Sequence, residues 1–269
     1  MGDKRKVRLI ALDLDGTLLV GGNRVSDANA AAVRDAVAAG VHIVFATSRW
    51  YLLAKRTADL LGVTSPIICH NGAMIRDPED GARLLSLTLS PGAAMAIAGM
   101  ADERRYEGMV TVNDATYMIT KRPDIDPRRL PGGMVLSGRL GDHVAEGADA
   151  FLFFGDDAVK EIPAALGERY GTECNFATGW SQTWPAYLNI VHRQADKGRA
   201  LRQVCEHVGV APEDAMAIGD AAPDLEMMRA VGIGMAMGNA PDDVKAQADV
   251  VGPSNLEDGV AWAIREFAL

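Results

Sequence analysis

The chain has few cysteines, few aromatic residues and no long hydrophobic run. Its 3 cysteines among 269 residues are odd in number and show no CxxC spacing, so we expect neither a disulfide framework nor a zinc site. No stretch approaches the ~18 apolar residues that a membrane-spanning helix needs. The short apolar run at residues 7–12 ends in acids, unlike a secretory signal. We therefore expect a cytoplasmic protein with reduced thiols.

Positive charge is also scarce. The chain has 27 Lys and Arg against 36 Asp and Glu, a formal net charge of −9. Binding to nucleic acid draws on a basic surface that displaces counterions, so this balance argues against such a partner. An anionic ligand would be repelled by the overall field, and its site would have to supply positive charge locally.

The order of the predicted elements indicates two kinds of domain. Short apolar runs at residues 7–12, 41–46 and 66–69 alternate with helical stretches at 27–39 and 50–61. Fully buried runs of this kind, separated by helices, are typical of a doubly wound parallel sheet. The same alternation returns after residue 192, with a helix at residues 197–208 and a strand at 215–218.

The stretch between these segments differs, because it is rich in hairpins. We predict a helix at residues 93–105, a hairpin about residues 114–115, and further strands at 150–154, 173–177 and 184–191. The predicted fold is therefore an α/β protein with a Rossmann-like parallel core sheet and an inserted α+β cap domain. We place the core domain at residues 1–82 and 188–269 and the inserted domain at 83–187.

Polar residues follow the predicted core strands. In an open parallel sheet the ligand site lies beyond the carboxyl ends of the strands, so these residues are expected to converge. They are Asp13, Asp15, Gly16 and Thr17 after the first strand, Thr47, Ser48 and Arg49 after the second, Asn71 after the third, and Gly219, Asp220 and Asp224 after the strand at 215–218, with Lys197 opening the preceding helix.

Such a set of groups suits phosphoryl transfer. Crowded carboxylates repel one another, and Mg²⁺, which prefers carboxylate and phosphate oxygens, relieves the repulsion. Asp13 and Asp15 are two residues apart, so in extended backbone both are expected to project to the same side. One carboxylate can attack phosphorus while the other transfers the proton. Thr47 and Lys197 can hold the phosphoryl oxygens.

The motifs resemble those of the haloacid dehalogenase-like (HAD) phosphatase superfamily, in the correct order and in both halves of the split domain. They are DLDGTLL at Asp13, ATSR at Thr47, HNGA at Asn71-Gly72-Ala73, Lys197-Gly198 with Ala200-Leu201, and Gly219-Asp220 with Asp224-Leu225-Glu226-Met227. The inserted segment resembles the cap of subclass IIB, the Cof-like branch of sugar and small-metabolite phosphatases.

The resemblance implies a role for each matching residue. Asp13 becomes the nucleophile that forms an aspartyl-phosphate, and Asp15 becomes the general acid/base, its backbone carbonyl binding Mg²⁺. Asp13 and Asp220 become carboxylate ligands of that ion. The remaining implied roles are phosphate binding for Thr47 and Lys197, support of the metal's water shell for Asp224, and lining of the substrate side, facing the cap, for Asn71 and Gly72.

Two residues depart from the family pattern. Ser48 stands where members usually carry Gly, and we expect this only to tighten the turn. Pro223 stands where the pattern GDxxND places Asn. Proline suits the first turn of a helix but removes a side-chain amide near Lys197, so we expect a lower turnover or an altered substrate.

The expected function is a Mg²⁺-dependent phosphatase of a small phosphorylated metabolite, with no membrane or nucleic-acid partner, as a monomer or homodimer. A phosphomutase on the same scaffold and a catalytically weak regulatory or binding protein are the alternatives. A phospho-acceptor receiver domain also uses clustered Asp, a hydroxyl and a Lys. It is typically near 120 residues and lacks an insertion over its site, so the length argues against it.

Overall fold

The computed structural model describes residues 7–179 and 186–269. The chain divides into two compact units. The core unit comprises the chain up to Leu85 together with Asp196–Leu269, and the inserted unit comprises Ser86–Ala195.

The first core segment alternates short strands with helices, as predicted. Ser26 begins the first helix by accepting a hydrogen bond from the backbone N–H of Asn29. The elements are β1 (Leu9–Leu12), β2 (Leu19–Val20), β3 (Arg24–Val25), α1 (Asp27–Ala38), β4 (His42–Phe45), α2 (Tyr51–Leu61), β5 (Ile67–Cys69), β6 (Met74–Arg76) and β7 (Arg83–Ser86).

In its described residues, the inserted unit has a mostly antiparallel sheet and two α-helices. Its elements are α3 (Pro91–Arg104), β8 (Glu107–Val112), β9 (Ala115–Ile119), β10 (Met134–Leu136), β11 (Ala150–Phe154), α4 (Asp156–Tyr170), β12 (Cys174–Gly179) and β13 (Tyr187–His192). The sheet order is β10-β9-β8-β11-β13-β12. Phe151 and Phe153 of the central strand β11 lie in the same apolar cluster as Ile97 of α3 and Ile162 of α4.

The last segment returns to the core unit. Its elements are α5 (Lys197–Val208), β14 (Ala215–Gly219), α6 (Leu225–Arg229), β15 (Ile233–Ala236), α7 (Asp242–Lys245), β16 (Val250–Val251) and α8 (Gly259–Phe267). Helix α6 begins at Leu225, directly after a tight 3₁₀ turn at residues 222–224.

The core sheet is parallel and buried on both faces. Its order is β16-β15-β14-β1-β4, with β1 at the junction between the first and last segments. Ile10 and Leu12 of β1 enter one apolar cluster, whereas Leu9 and Ala11 enter the other. This alternation is that of a doubly wound sheet, and the predicted fold class is confirmed.

The third predicted strand, β5, pairs less extensively with the parallel sheet than expected. It pairs antiparallel with β6 and meets the parallel sheet through the single bridge between Ala46 and Ile68. That bridge still aligns the end of β5 with the end of β4. The residues after β1, β4, β5 and β14 therefore lie on one edge.

The boundaries of the inserted unit differ from the predicted 83–187. The prediction places the chain from residue 188 in the core domain, but β13 pairs with β11 over residues 187–191 and with β12 over residues 187–192. The boundary consequently falls after Ala195. Trp184, at which we predicted this strand to begin, lies outside the described residues.

The three cysteines Cys69, Cys174 and Cys205 are buried and form no disulfide. Within the described ranges, every helix is too short or too polar to cross a membrane.

Candidate active site

A buried lysine connects two carboxylates at the edge where the core strands end. Lys197 is the first residue of α5, and its side chain is only 3% exposed. Its Nζ donates to Oδ1 of Asp13 at 2.7 Å and to Oδ1 of Asp224 at 2.6 Å. Burying an unpaired ammonium costs free energy, and these two bonds offset that cost. Lys197 is therefore not an ordinary solvent-exposed lysine. Asp196 caps the helix and positions this first residue.

Asp224 uses both carboxylate oxygens within the protein. Its Oδ1 accepts from Lys197, and its Oδ2 accepts from the backbone N–H groups of Asp220 and Ala221, each at 3.0 Å. Asp224 therefore shapes the turn after β14 and orients the lysine. Its expected part in a metal site stays a prediction, and these bonds favour an indirect one. Pro223 in the same turn is exposed.

Asp220 approaches the loop after β1 closely. Thr17, which is fully buried, donates from Oγ1 to Oδ1 of Asp220 at 2.9 Å. Gly16 has a φ of +89°, and a Cβ placed there would lie 2.3 Å from Oδ2 of Asp220. Only glycine allows both this backbone conformation and this approach. The DLDGT motif thus brings Asp13 and Asp220 to the same site.

The carboxylates create an excess of negative charge that a cation would relieve. Oxygens of Asp13, Asp220 and Asp224 lie within 4.8 Å of one another. Burial raises the pKa of Asp13 well above its usual value; Lys197 opposes this shift, while Asp224 and Asp220 add to it. Burial, followed by repulsion from Asp224, raises the pKa of Asp220 to about 6. These acids are oxygen donors that resist ionisation without a counter-charge, which fits a hard divalent cation such as Mg²⁺.

The pKa of Lys197 moves the opposite way to that of a lone buried amine. Burial works against the ammonium, but the charges of Asp13 and Asp224 outweigh this effect and raise the pKa of Lys197 above its usual range. The side chain is therefore a fixed positive charge. It provides positive charge at this site, although the net charge of the whole chain is −9.

Asp15 faces another partner. The chain turns at Leu14, whose carbonyl accepts from the N–H groups of Thr17 and Leu19. The expectation that Asp13 and Asp15 project to the same side stays a prediction. Asp15 is outside the group of acids within 4.8 Å, and Arg49 binds both of its oxygens, at 2.7 Å and 2.5 Å. Its side chain is 51% exposed.

Thr47 and Asn71 lie together on the loops after β4 and β5. Thr47 is fully buried, its Oγ1 accepts from the backbone N–H of Arg49 at 3.2 Å, and its carbonyl accepts from the N–H of Asn71 at 3.0 Å. His70 and Asn71 both have positive φ, 50° and 56°. Such strained conformations are concentrated at functional sites.

Gly72 brings this loop against the start of α5. Its φ is +95°, and a Cβ there would lie 2.3 Å from the carbonyl oxygen of Asp196. The residue before Lys197 is thus in backbone contact with the predicted substrate side. The roles of Thr47, Asn71 and Gly72 toward a substrate remain predictions.

Two polar residues of the site were not among the predicted site residues. Arg49 follows β4, and the sequence predicts its place after that strand but no role for it. Asn239, which follows β15, donates from Nδ2 to the carbonyl of Gly16 at 2.9 Å and accepts from the N–H of Asn255. The rule of polar residues after core strands would have included it, had it been applied to the MGNA segment.

Comparison with known families decides the relationship. The model of the haloacid dehalogenase-like hydrolases matches residues 10–264. The chain belongs to this family. It is also 30% identical over 268 residues to 5-amino-6-(5-phospho-D-ribitylamino)uracil phosphatase YcsE of Bacillus subtilis, covering 98% of this chain and 96% of that protein. Other relatives are phosphatases by name as well, and this HAD-family protein is accordingly a phosphoric monoester hydrolase.

Solved structures agree on the fold. A haloacid dehalogenase-like hydrolase from Bacteroides thetaiotaomicron superposes with a TM-score of 0.83 at 25% identity, covering 97% of this chain and 99% of that chain. The HAD subclass IIB sugar phosphatase BT4131 superposes with a TM-score of 0.77 at 22% identity, covering 97% and 98%. The predicted subclass is confirmed at the level of the fold.

Replacing Gly72 by alanine should lower the free energy of unfolding by about 2–4 kcal/mol. The alanine would have to adopt a left-handed φ, and its Cβ would be too close to the backbone of Asp196. Gly62 is a matched control, with a φ of +72° and nothing within 4 Å of a Cβ. Gly62→Ala should cost only about 1–2 kcal/mol. Urea unfolding of both variants measures the difference, and equal losses would contradict the close approach.

Mg²⁺ should raise Tm more at about pH 7.5 than at about pH 5. The pKa of Asp220 is raised from 3.8 to about 6, so at the lower pH a proton competes with the cation. Without Mg²⁺, Asp220 keeps a proton in the folded state that it loses in the unfolded state, so the contribution of Asp220 to stability falls as pH rises from about 4 to 6. Calorimetry with and without Mg²⁺ tests both statements.

Asp220→Asn is the control for this pH effect. Because it removes the titrating carboxylate, the variant should gain little stability from Mg²⁺ at either pH. An equal Mg²⁺-induced rise in Tm at the two pH values in the unmodified protein would show that Asp220 does not bind the cation.

Proposed function

We propose that this phosphatase hydrolyses the phosphate monoester of a small metabolite, in a Mg²⁺-dependent reaction through an aspartyl-phosphate on Asp13. The observation that carries the proposal is the buried pair of Asp13 and Lys197, 2.7 Å apart, beside Asp220 and Asp224. A carboxylate placed next to a fixed ammonium and a cation site can meet a phosphoryl group whose charge both of them neutralise.

The reaction has two displacements. A carboxylate oxygen of Asp13 attacks phosphorus, the bond from phosphorus to the leaving oxygen breaks, and Asp15 gives that oxygen a proton. Water then attacks phosphorus, its proton passes to Asp15, and the bond from Asp13 to phosphorus breaks. Inorganic phosphate leaves, Asp13 is again a free carboxylate, and Asp15 again carries a proton.

Positive charge around the phosphoryl group does most of the catalytic work. We expect Lys197, at the start of α5, to contact this group and the buried hydroxyl of Thr47 to donate a hydrogen bond to it. Asp13, Asp220 and the backbone carbonyl of Asp15 would hold Mg²⁺, with Asp224 behind them, and the bound ion would supply charge neutralisation for the phosphoryl oxygens.

Asp13→Asn should lower the release of phosphate from p-nitrophenyl phosphate by at least about 10³-fold, since the amide is not a nucleophile. EDTA should abolish the activity of the unmodified enzyme, and added Mg²⁺ should restore it. Steady-state assays with both additions measure this.

Asp156→Asn is a suitable control, because Asp156 lies in the first turn of α4 in the inserted unit. It should leave activity unchanged. Equal turnover by Asp13→Asn and unmodified enzyme would overturn the aspartyl-phosphate. Turnover that persists in EDTA would overturn the metal requirement.

We further propose that the substrate is a phosphorylated sugar or sugar alcohol. A relative at 30% identity is a phosphatase of a phosphoribityl compound, and it aligns over 98% of this chain. In such substrates phosphate is joined to a primary alcohol of a polyol, a poor leaving group that requires the acid role of Asp15.

A panel of phosphate esters tests this substrate class. We expect kcat/KM to be at least about tenfold higher for hexose 6-phosphates, ribitol 5-phosphate and 5-amino-6-(5-phosphoribitylamino)uracil than for pyridoxal phosphate and phosphoglycolate. A single additional contact to the substrate typically supplies discrimination of this size. A preference for either of the last two would contradict the class. Isomerised sugar phosphate in place of free phosphate would favour the phosphomutase alternative.

A further inference from the structure

The guanidinium of Arg49 contacts both Asp15 and the turn between β2 and β3. Its guanidinium binds Asp15 with Nε and Nη2, at 2.7 Å and 2.5 Å. Its Nη1 donates to Oδ1 of Asn23 at 2.5 Å, and Nη2 also donates to the carbonyl of Gly22 at 2.9 Å. Gly22 and Asn23 form the turn between β2 and β3.

The backbone of Arg49 is fixed as well. Its N–H donates to Oγ1 of Thr47, and its carbonyl accepts from the N–H of His70. Only 10% of the arginine side chain is exposed, whereas 51% of the Asp15 side chain is. The carboxylate is therefore the more exposed partner of the pair, and the guanidinium is the one that further contacts hold in place.

This geometry is specific to arginine. Two parallel N–H groups on one plane bind both oxygens of a carboxylate and fix the plane of that carboxylate as well as its position. A half-exposed Asp without such a partner would sample several rotamers. Orientation of a reacting group can contribute several kcal/mol to a rate.

Asp15 also lies apart from the neighbouring acids. Asp13, Asp220 and Asp224 lie within 4.8 Å of one another, and Asp15 is outside that group. A cation held there would attract an unpaired carboxylate nearby, since Mg²⁺ binds carboxylate oxygens. A carboxylate bound to the ion would be lost to proton transfer.

We propose that Arg49 is the positioning residue of the general acid/base: it orients the carboxyl of Asp15 toward the leaving oxygen and keeps it from becoming a metal ligand. This inference rests on the proposed function. The step that it serves is the first displacement, in which the bond from phosphorus to the leaving oxygen breaks and that oxygen takes the proton of Asp15. Arg49 touches neither phosphorus nor the leaving group.

The test compares two substrates of almost the same shape. p-Nitrophenyl phosphate releases an acidic phenol and needs little proton transfer, whereas phenyl phosphate releases a more basic oxygen and needs the acid. kcat/KM reports all steps up to the departure of the leaving group. Arg49→Ala should lower kcat/KM for phenyl phosphate by at least about tenfold, and for p-nitrophenyl phosphate by less than about threefold.

A second comparison places the effect on Asp15. In the Asp15→Asn background, adding Arg49→Ala should change the ratio of the two kcat/KM values by less than about twofold, because residues that act through one another are not additive. Arg56→Ala, an exposed arginine on α2, is the matched control and should leave both substrates unchanged.

Two further variants test the proposal in case Arg49→Ala does not fold. Arg49→Lys keeps a positive charge without the planar fork, and Asn23→Ala keeps the fork but removes one of its anchors. Both should shift the ratio in the same direction as Arg49→Ala, by a smaller factor. An unchanged ratio in Arg49→Lys would overturn the requirement for the bidentate geometry.

Equal losses on both substrates, persisting in the Asp15→Asn background, would show that Arg49 acts on the phosphoryl group itself and would overturn the proposal. An Asp15→Asn variant with an unchanged ratio would remove the acid role of Asp15 and the proposal with it. The proposed phosphatase mechanism would still stand in that case if Asp13→Asn is inactive.

Discussion

The site depends on the burial of one ammonium group. Lys197 is enclosed where α5 begins, and it remains charged because Asp13 and Asp224 contact it from either side. Removing either carboxylate would leave a buried charge with one partner fewer, which is strongly unfavourable. The lysine therefore ties the loop after β1 to the turn after β14, two segments that are far apart in the chain. The helix cap at Asp196 and the contact of Gly72 with its carbonyl fix where that ammonium lies.

Charge explains how an acidic protein can bind an anion. The net charge of −9 describes the whole chain, but at this edge of the sheet Asp13 is buried, Asp220 is partly buried, and burial opposes the ionisation of both. A cation that binds them changes the sign of the local potential, and Lys197 adds to it. The same raised pKa values that make the acids unfavourable in isolation make them good partners for a divalent ion.

The two carboxylates of the DLDGT motif have separate environments. Asp13 is buried against an ammonium, whereas Asp15 is half exposed against a guanidinium. Such different surroundings suit the proposed roles of Asp13 as a nucleophile beside a cation and of Asp15 as the proton carrier for the leaving group. The turn at Leu14 and the glycine at position 16 produce this divergence within four residues.

The sequence by itself determined the fold class, the inserted unit and the residues that follow the core strands. Those properties depend on local patterns: buried apolar runs, helix signals, and polar residues where a parallel strand ends. It also predicted the convergence of Asp13, Lys197, Asp220 and Asp224, which follows from the order of the motifs. Only the tertiary structure decided that β13 belongs to the inserted sheet, that Asp15 pairs with Arg49, and that Asn239 supports Gly16. Strand partners, side-chain direction at a turn and contacts over 200 residues apart depend on packing in three dimensions, which a linear pattern does not encode.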